Sequence, residues 1–492
     1  MTAIPYRFAS AQKLVVTPES ETCVYAAETP LAALAEAQRV TAKALRFQQV
    51  SDVVLAEQME DSYRDSATEA AGAAEQARDT DADLAALADS AAAVDDLLDQ
   101  REDAPVVRLI NALLLEAIRG RASDVHIEAE EHHLVVRFRV DGILREALRS
   151  NRALAPQLIS RIKVMGRLDI AEKRLPQDGR VSLRVAEFHL DARISTIPTQ
   201  HGERVVMRLL DRGQTRVGVV GLGMTQEMQA TFEQLLERPD GLILVTGPTG
   251  SGKTTTLYAG LDRLNDRQRN IMTIEDPIEY ALPGIAQMQV NPATDLTFAR
   301  GLRALLRQDP NVIMVGEIRD GETARTAVES AMTGHLVLST LHTNSAIGSI
   351  ARLLDLGVER FLLAPMLRGL LAQRLVRRVC PNCATDHEVT PSEAALMSNL
   401  LRPGERILKG LGCEECHQTG YHGRAALYDL IEVTPRLEQA IAAGAPEADL
   451  AATVQRSVPG LISDGVAKIR QRQTTPQEVA RVIFETTANS AA

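Results

Sequence analysis

The sequence has no tryptophan, and aromatic residues supply only 3% of it. That disfavours a protein that stacks single-stranded nucleic acid on rings. A basic surplus is missing as well. Against 54 lysines and arginines stand 65 aspartates and glutamates, for a formal net charge of -11. A general nucleic-acid binder leans basic, so no nucleic-acid partner is expected. Nowhere does an apolar run reach the ~18–20 residues of a membrane span. The first thirty residues, from MTAIPYRFASAQKLVV onward, carry no basic and apolar leader pair. The expectation is a cytoplasmic chain that meets a membrane through partners. Five cysteines in such a reducing compartment are not expected to form structural disulfides.

What is present can be arranged around one stretch. Leu242 to Thr256 reads LILVTGPTGSGKTTT. Leu242 to Thr246 is an apolar, β-leaning run, GPTGSGKT fits the phosphate-loop pattern G-x-x-x-x-G-K-[ST], and Thr254 to Leu264 reads as a helix. Glycines at 247, 250 and 252 let backbone N–H groups converge on a phosphate. The helix start adds its positive dipole end. Lys253 is spaced to reach the β- and γ-phosphates, and Thr254 to offer its hydroxyl to Mg²⁺. Gly247, Pro248, Thr249, Gly250, Ser251, Gly252, Lys253, Thr254 and Thr255 are therefore the expected ATP-binding residues.

At 492 residues, about three domains are expected. Residues 1–65 read as a small docking domain, with a strand at Leu14 to Val16, a helix at Leu31 to Val40, and a further strand and helix within Leu45 to Met59. Residues 66–100 are rich in alanine and acid, with little apolar surface to bury, and read as a linker. Residues 101–211 predict an α+β domain with a mostly antiparallel sheet. Its first helix opens at Asp103 and Pro105 and ends at Gly120. Alternating runs follow at Leu134 to Val140, Ile143 to Leu148, Val181 to Val185 and Phe188 to Ile194, with Asp141-Gly142 as a hairpin turn. A linker, 212–223, leads to a nucleotide domain at 224–375. Short apolar runs at Ile271 to Ile274, Val312 to Val315 and Leu336 to Ser339 alternate there with helices, which predicts a parallel sheet covered on both faces. Residues 376–425 hold a cysteine module, and 426–492 read as a helical region.

Acidic residues at strand ends are the next candidates. Glu317 follows Val312 to Val315, a strand expected beside the phosphate-loop strand, and is the candidate for orienting the attacking water. Glu275, Asp276 and Glu279 form a second acidic group, lining the metal side of the pocket or lying on a solvated loop. His342 follows another strand and is placed to contact the γ-phosphate, or to be a hydrogen-bonded loop histidine. Arg303 and Arg307, four apart, are expected on one helix face near Arg300. They read as a solvated basic face or as groups that neutralise phosphates across a boundary. Arg193 and Arg208 lie on strand-like stretches and read, from pattern alone, as solvated. Arg374, Arg377 and Arg378 read as a solvated patch or a contact for acidic lipid or a partner.

Cys380, Cys383, Cys413 and Cys416 make two C-x-x-C pairs. Four thiolates around one ion make a structural tetrahedral Zn²⁺ site without an open position for catalysis. Cys413 to His417 also spells the C-x-x-C-H haem-attachment pattern, but haem would leave the other pair unexplained. A redox dithiol fails on the same count, and Cys23 is left over as an ordinary thiol.

Taken together, the motifs resemble the secretion and pilus-assembly ATPases, and within them the type II (general) secretion pathway ATPase. The matching phrases include ASDVHIE at 122–128, EKRLPQDGR at 172–180, ARISTIPTQHGERVVMRLLD at 192–211, GPTGSGKTTTLYA at 247–259 and TIEDPIEY at 273–280. They continue with LRALLRQDPNVIMVGEIRDGETA at 302–324, TGHLVLSTLHTN at 333–344, AQRLVRRVCPNC at 372–383 and TGYHGRAALYDL at 419–430. The resemblance covers about residues 100–430, and residues 1–100 match loosely. Asn311 stands where the family usually has Asp.

This resemblance implies a RecA-like core with a parallel-rich sheet, preceded by a PAS-like α+β domain. It implies ATP hydrolysis with Mg²⁺, with Glu317 as catalytic glutamate and Lys253 on the phosphates. Glu275 falls in its acidic box and His342 in its histidine box, and Arg193, Arg208, Arg303 and Arg307 surround the phosphates. A homo-hexamer is implied, docked through residues 1–65 on the cytosolic part of an L-type inner-membrane secretion protein and acting on an F-type platform protein. Such a motor extends a pseudopilus that exports folded proteins. A type IV pilus-assembly motor is the alternative.

Overall fold

Strands and helices in the computed structural model follow the alternation of apolar and polar residues, with additions that the alternation hides. The structure describes residues 12–17, 22–27, 29–41, 45–51, 54–55, 84, 105–185, 188–211, 217–454 and 460–488. It divides into two units, Met1–Arg212 and Gly213–Ala492. The expected N-cap Asp103, the stretch 212–216, Met59 and most of 66–100 lie outside the described residues.

In the first unit, β1 (Leu14–Thr17), β2 (Thr22–Tyr25) and β3 (Arg46–Gln49) form a small sheet, with the helix Leu31–Thr41 packed on it. β1 pairs antiparallel and β3 parallel with β2. Cys23 is buried in that small core, and burial pushes its thiol up to about 11. A larger sheet follows: β4 (Ala122–Ala129), β5 (His133–Val140), β6 (Ile143–Asn151), β7 (Gln177–Val185), β8 (Phe188–Thr199) and β9 (Gly202–Asp211). Its order is β6-β5-β4-β9-β8-β7, and its neighbours are antiparallel. The helices Pro105–Arg119 and Ala155–Met165 bury one face through Leu109, Leu113, Leu158 and Ile162 against Val125, Ile127, Phe138 and Ile194. Leu84 is buried in this core, an apolar anchor inside the acidic stretch. The alternating runs did not mark β4. Its inner residues Asp124 and His126 are as buried as Val125 and Ile127, so it has no polar face to alternate.

In the second unit, β10 (Gly241–Thr246), β11 (Ile271–Glu275), β12 (Ala286–Gln289), β13 (Val312–Val315), β14 (Leu336–Leu341) and β15 (Leu367–Val379) run parallel. β16 (Ala384–Glu388) and β17 (Arg406–Gly410) form a separate antiparallel pair, and β18 (Tyr421–Glu432) joins the main sheet antiparallel to β15. The order is β12-β11-β13-β14-β10-β15-β18. Leu242 and Leu244 face one core and Ile243 and Val245 the other. Helices on both faces explain why these strands read as unbroken apolar runs. The Glu317 strand, β13, is expected beside the phosphate-loop strand, but β14 lies between them. The expected boundary at 426 falls inside one strand of the sheet, Tyr421 to Glu432.

A candidate nucleotide site and a candidate metal centre

Parallel strands bring their C-terminal ends to one edge, where the loops that follow can meet a ligand. β10 ends in the phosphate loop, β13 in Glu317, β14 in His342 and β11 in Glu275. Gly247, Gly250 and Gly252 all have positive φ, at 152°, 79° and 85°. A Cβ on Gly247 would stand 2.4 Å from the Gln373 carbonyl oxygen, so only glycine fits there. The turn delivers the chain into the helix Lys253–Leu264. Lys253 is buried, and its Nζ donates to the Gly247 and Pro248 carbonyls at 2.7 and 3.0 Å. Burial pushes its ammonium down to about 8, with Glu317 opposing the shift and Arg374 adding to it. The Thr246 hydroxyl receives the Thr343 N–H at 3.0 Å, which ties the β10 end to the loop carrying His342.

Glu317 is largely sheltered. Its carboxylate accepts from Arg319 Nη2 at 2.5 Å, and His342 Nε2 lies 3.2 Å from its other oxygen. The structure thus brings together Glu317 and His342, two separate candidates from the sequence, and adds Arg319, which no motif or spacing marks. Arg319 is also 3.8 Å from Asp276. Glu275 is buried and not on a solvated loop. It accepts from Thr273 Oγ1 at 2.5 Å, from Gln287 Nε2 at 3.1 Å and from the Tyr258 hydroxyl on the phosphate-loop helix. Burial raises its carboxyl, and those donors pull the other way. Arg303 lies on the helix Phe298–Leu305 and bonds Glu322 at 2.7 Å. Arg307 sits beyond it in the 3₁₀ turn Leu306–Gln308, so the two do not share one α-helical face. Its Nη1 donates to the Arg303 carbonyl at 2.9 Å.

In the first unit, Arg193 and Arg208 are direct partners in the β8–β9 register. Like charges opposite each other are unfavourable. Arg208 is countered by Asp124, whose Oδ1 accepts from its Nε at 2.9 Å. Arg193 points away from buried Ala192 and Ile194, as the alternation predicts.

The four paired cysteines converge. Their sulfurs lie within 4.8 Å of one another, with Cys380–Cys413 and Cys383–Cys416 at 3.8 Å and Cys413–Cys416 at 3.6 Å. A disulfide needs about 2.0 Å. Four thiolates at Zn–S distances of about 2.3 Å give edges near 3.8 Å, so the cluster fits a tetrahedral ion. Burial raises the Cys416 thiol, but N–H groups of Cys413 and Gly420 outweigh it and bring it down to about 6. His417 is not one of these converging ligands.

A family profile described as "Type II/IV secretion system protein" matches residues 99–481, and a profile for an amino-terminal domain of "GSPII protein E" matches residues 3–63. The chain belongs to the family of type II/IV secretion system proteins. Within it, the chain is 50% identical to type II secretion system protein E of Dickeya dadantii, over 98% of this chain and 97% of that one. It is 46% identical to type II secretion system ATPase E of Vibrio cholerae, over 98% of this chain and 97% of that one. Among solved structures, the pilus retraction motor PilT with bound ADP is similar at a TM-score of 0.52 and 26% identity, covering 75% of this chain and 95% of PilT. The DotB ATPase of Yersinia pseudotuberculosis shares the fold, at a TM-score of 0.56 and 19% identity, covering 77% of this chain and 93% of that one. These relatives favour the type II secretion branch of the family over pilus assembly. Among the described residues, no helix is long and apolar enough to cross a membrane.

Proposed function

We propose that this chain is the cytoplasmic ATPase motor of a type II secretion system, hydrolysing ATP to extend a pseudopilus and export folded proteins. The observation that carries the reading is the phosphate loop with Glu317 and His342 at one sheet edge, in a chain half identical to type II secretion E proteins. Gly247 to Thr255 hold the phosphates through backbone N–H groups, and Thr254 holds Mg²⁺. Lys253 leaves its loop carbonyls to meet the β- and γ-phosphates. Glu317 orients the attacking water, with His342 and Arg319 fixing the carboxylate. Glu275 acts from within its hydrogen-bonded network, steadying the phosphate-loop helix through Tyr258.

Arg193, Arg208, Arg303 and Arg307 meet phosphate charge. The family resemblance supports that role. Zn²⁺ is held by Cys380, Cys383, Cys413 and Cys416, where it supplies folding stability and no chemistry. The motor is a homo-hexamer. It docks through residues 1–65 on an L-type inner-membrane protein and works on an F-type platform protein, and this places it peripherally on the inner membrane.

Phosphate release by the hexamer with its membrane partner tests the reading. Wild type turns over, Lys253→Ala loses nucleotide and turnover, and Glu317→Gln keeps nucleotide but loses turnover by about 10²-fold or more. A wild-type hexamer that binds nucleotide without releasing phosphate would sink it. A deletion strain should lose secretion and keep its pili.

A further inference from the structure

Arg374 is not the solvated side chain that its neighbourhood, AQRLVRRVC, suggests. It stands on β15, the strand hydrogen-bonded beside the phosphate-loop strand, and is 3% exposed. Its Nη1 donates to the Gln373 carbonyl at 3.0 Å and its Nη2 to the Asn344 carbonyl at 2.8 Å. Among the described residues no carboxylate pairs with it, and its Nε is buried without an acceptor. Two neutral carbonyls do not neutralise a guanidinium, and arginine does not shed its proton. A buried charge held this way is costly unless an anion comes near.

The surroundings say which anion. A Cβ built on Gly247 would stand 3.1 Å from Arg374 Nη1, so the guanidinium lies directly behind the first glycine of the loop. Asn344 is on the loop that also carries His342. The neighbouring Gln373 reaches the other end of the phosphate loop: its Oε1 accepts from the Thr256 hydroxyl at 2.7 Å, and a Cβ on Gly252 would stand 2.8 Å from its Nε2. Consecutive residues of β15 therefore brace both ends of the loop, and one of them brings a charge.

We propose that Arg374 is a positioning residue for the phosphate loop, its buried guanidinium setting a fixed positive charge behind the loop for the nucleotide phosphates and clasping the His342 loop to it. The proposal rests on the phosphate loop being the nucleotide site. Its pressure on Lys253 agrees with this, since Arg374 helps to drive that ammonium towards the neutral form until phosphate arrives.

Full-length Arg374→Gln, Arg374→Lys and Lys253→Ala decide it, through affinity for a fluorescent ADP, kcat and KM for ATP, and Tm. Arg374→Gln is expected to weaken ADP binding about tenfold or more, the effect of one missing charge in a sheltered site. Arg374→Lys keeps the charge but lacks the fork that spans two carbonyls. It should bind ADP nearly as wild type does and show a lower kcat. A purely structural arginine would instead give a lower Tm with equal ADP affinity in both variants, and that result overturns the proposal. Wild-type ADP affinity in a folded Arg374→Gln overturns it too. If Arg374→Gln does not fold, Arg374→Lys carries the test, and wild-type kcat and KM there overturn the proposal. Lys253→Ala separates the two levels. Lost binding in Lys253→Ala with intact binding in Arg374→Gln refutes the role of Arg374 alone, whereas intact binding in Lys253→Ala removes the nucleotide site and the proposal with it.

Discussion

Single residues set the pH behaviour of the candidate site. Lys253, buried against two carbonyls, loses its proton near pH 8 instead of above pH 10. Binding needs the charged form, so nucleotide affinity should fall as pH rises through about 8. A fluorescent ADP titration across that pH checks this. Lys253→Arg, charged throughout, should show a flat profile. Glu478 behaves in the opposite sense. It is buried, and burial alone would raise its carboxyl, but Arg481 and Arg377 hold it down at about 2. Arg377, which also lies 4.2 Å over the Tyr421 ring, is thus fully engaged and not a free basic patch. Because the folded value lies below the unfolded one, the stabilisation from Glu478 is complete above ~4.3 and is lost as pH falls from there through about 2. Glu478→Gln should cost about 3–5 kcal/mol at neutral pH. Denaturant titrations should show that deficit shrinking below about pH 4.

At the scale of elements, legibility followed solvent. β10, β13 and β14 were readable because helices cover both faces and every position is buried. β15 was not, since LRGLLAQRLVRRV mixes arginine and glutamine into its run. Gln373 and Arg374 are buried there by partners distant in sequence, Thr256 and Asn344, and no local pattern reports those. β4 was missed for the same reason, its Asp124 being buried by Arg208 and Arg139. Of the candidate site, the phosphate loop, Glu317 and the cysteines stood out because each has a fixed spacing or strand end, whereas His342 was set apart from an ordinary loop histidine only by the family resemblance. Arg319 and Arg374 needed the fold. The cysteine module shows the same dependence. Val389, Met397, Leu401 and Ile407 share one core with Val376 and Leu427 of the sheet and with Val466, Ile469 and Val479. Elemental analysis should find one zinc per chain, absent from a Cys380→Ser/Cys413→Ser variant. Because that core is shared, chelation should lower the Tm of the second unit as a whole. A metal-free protein with unchanged Tm would count against the centre.

For the whole molecule, turnover per chain should rise with protein concentration if neighbouring copies complete the site through Arg193 and Arg208. Charge-neutral glutamines at these positions should lower kcat by about 10²-fold or more while leaving fluorescent-ADP binding to the phosphate loop intact. A concentration-independent rate would argue for a self-sufficient chain. The chain leaves the sheet at Val379 and returns at Tyr421, and the Cys380 N–H meets the Gly420 carbonyl at 3.0 Å. The sheet therefore sees β15 and β18 as an ordinary hairpin, whatever lies between their tips. An insertion with closed ends can be exchanged or trimmed without re-threading the strands, provided the apolar side chains of Val376, Leu427, Val466, Ile469 and Val479 stay covered. Within such an insertion the loops away from that shared core are free to vary, while the residues that cover it are held to the sheet.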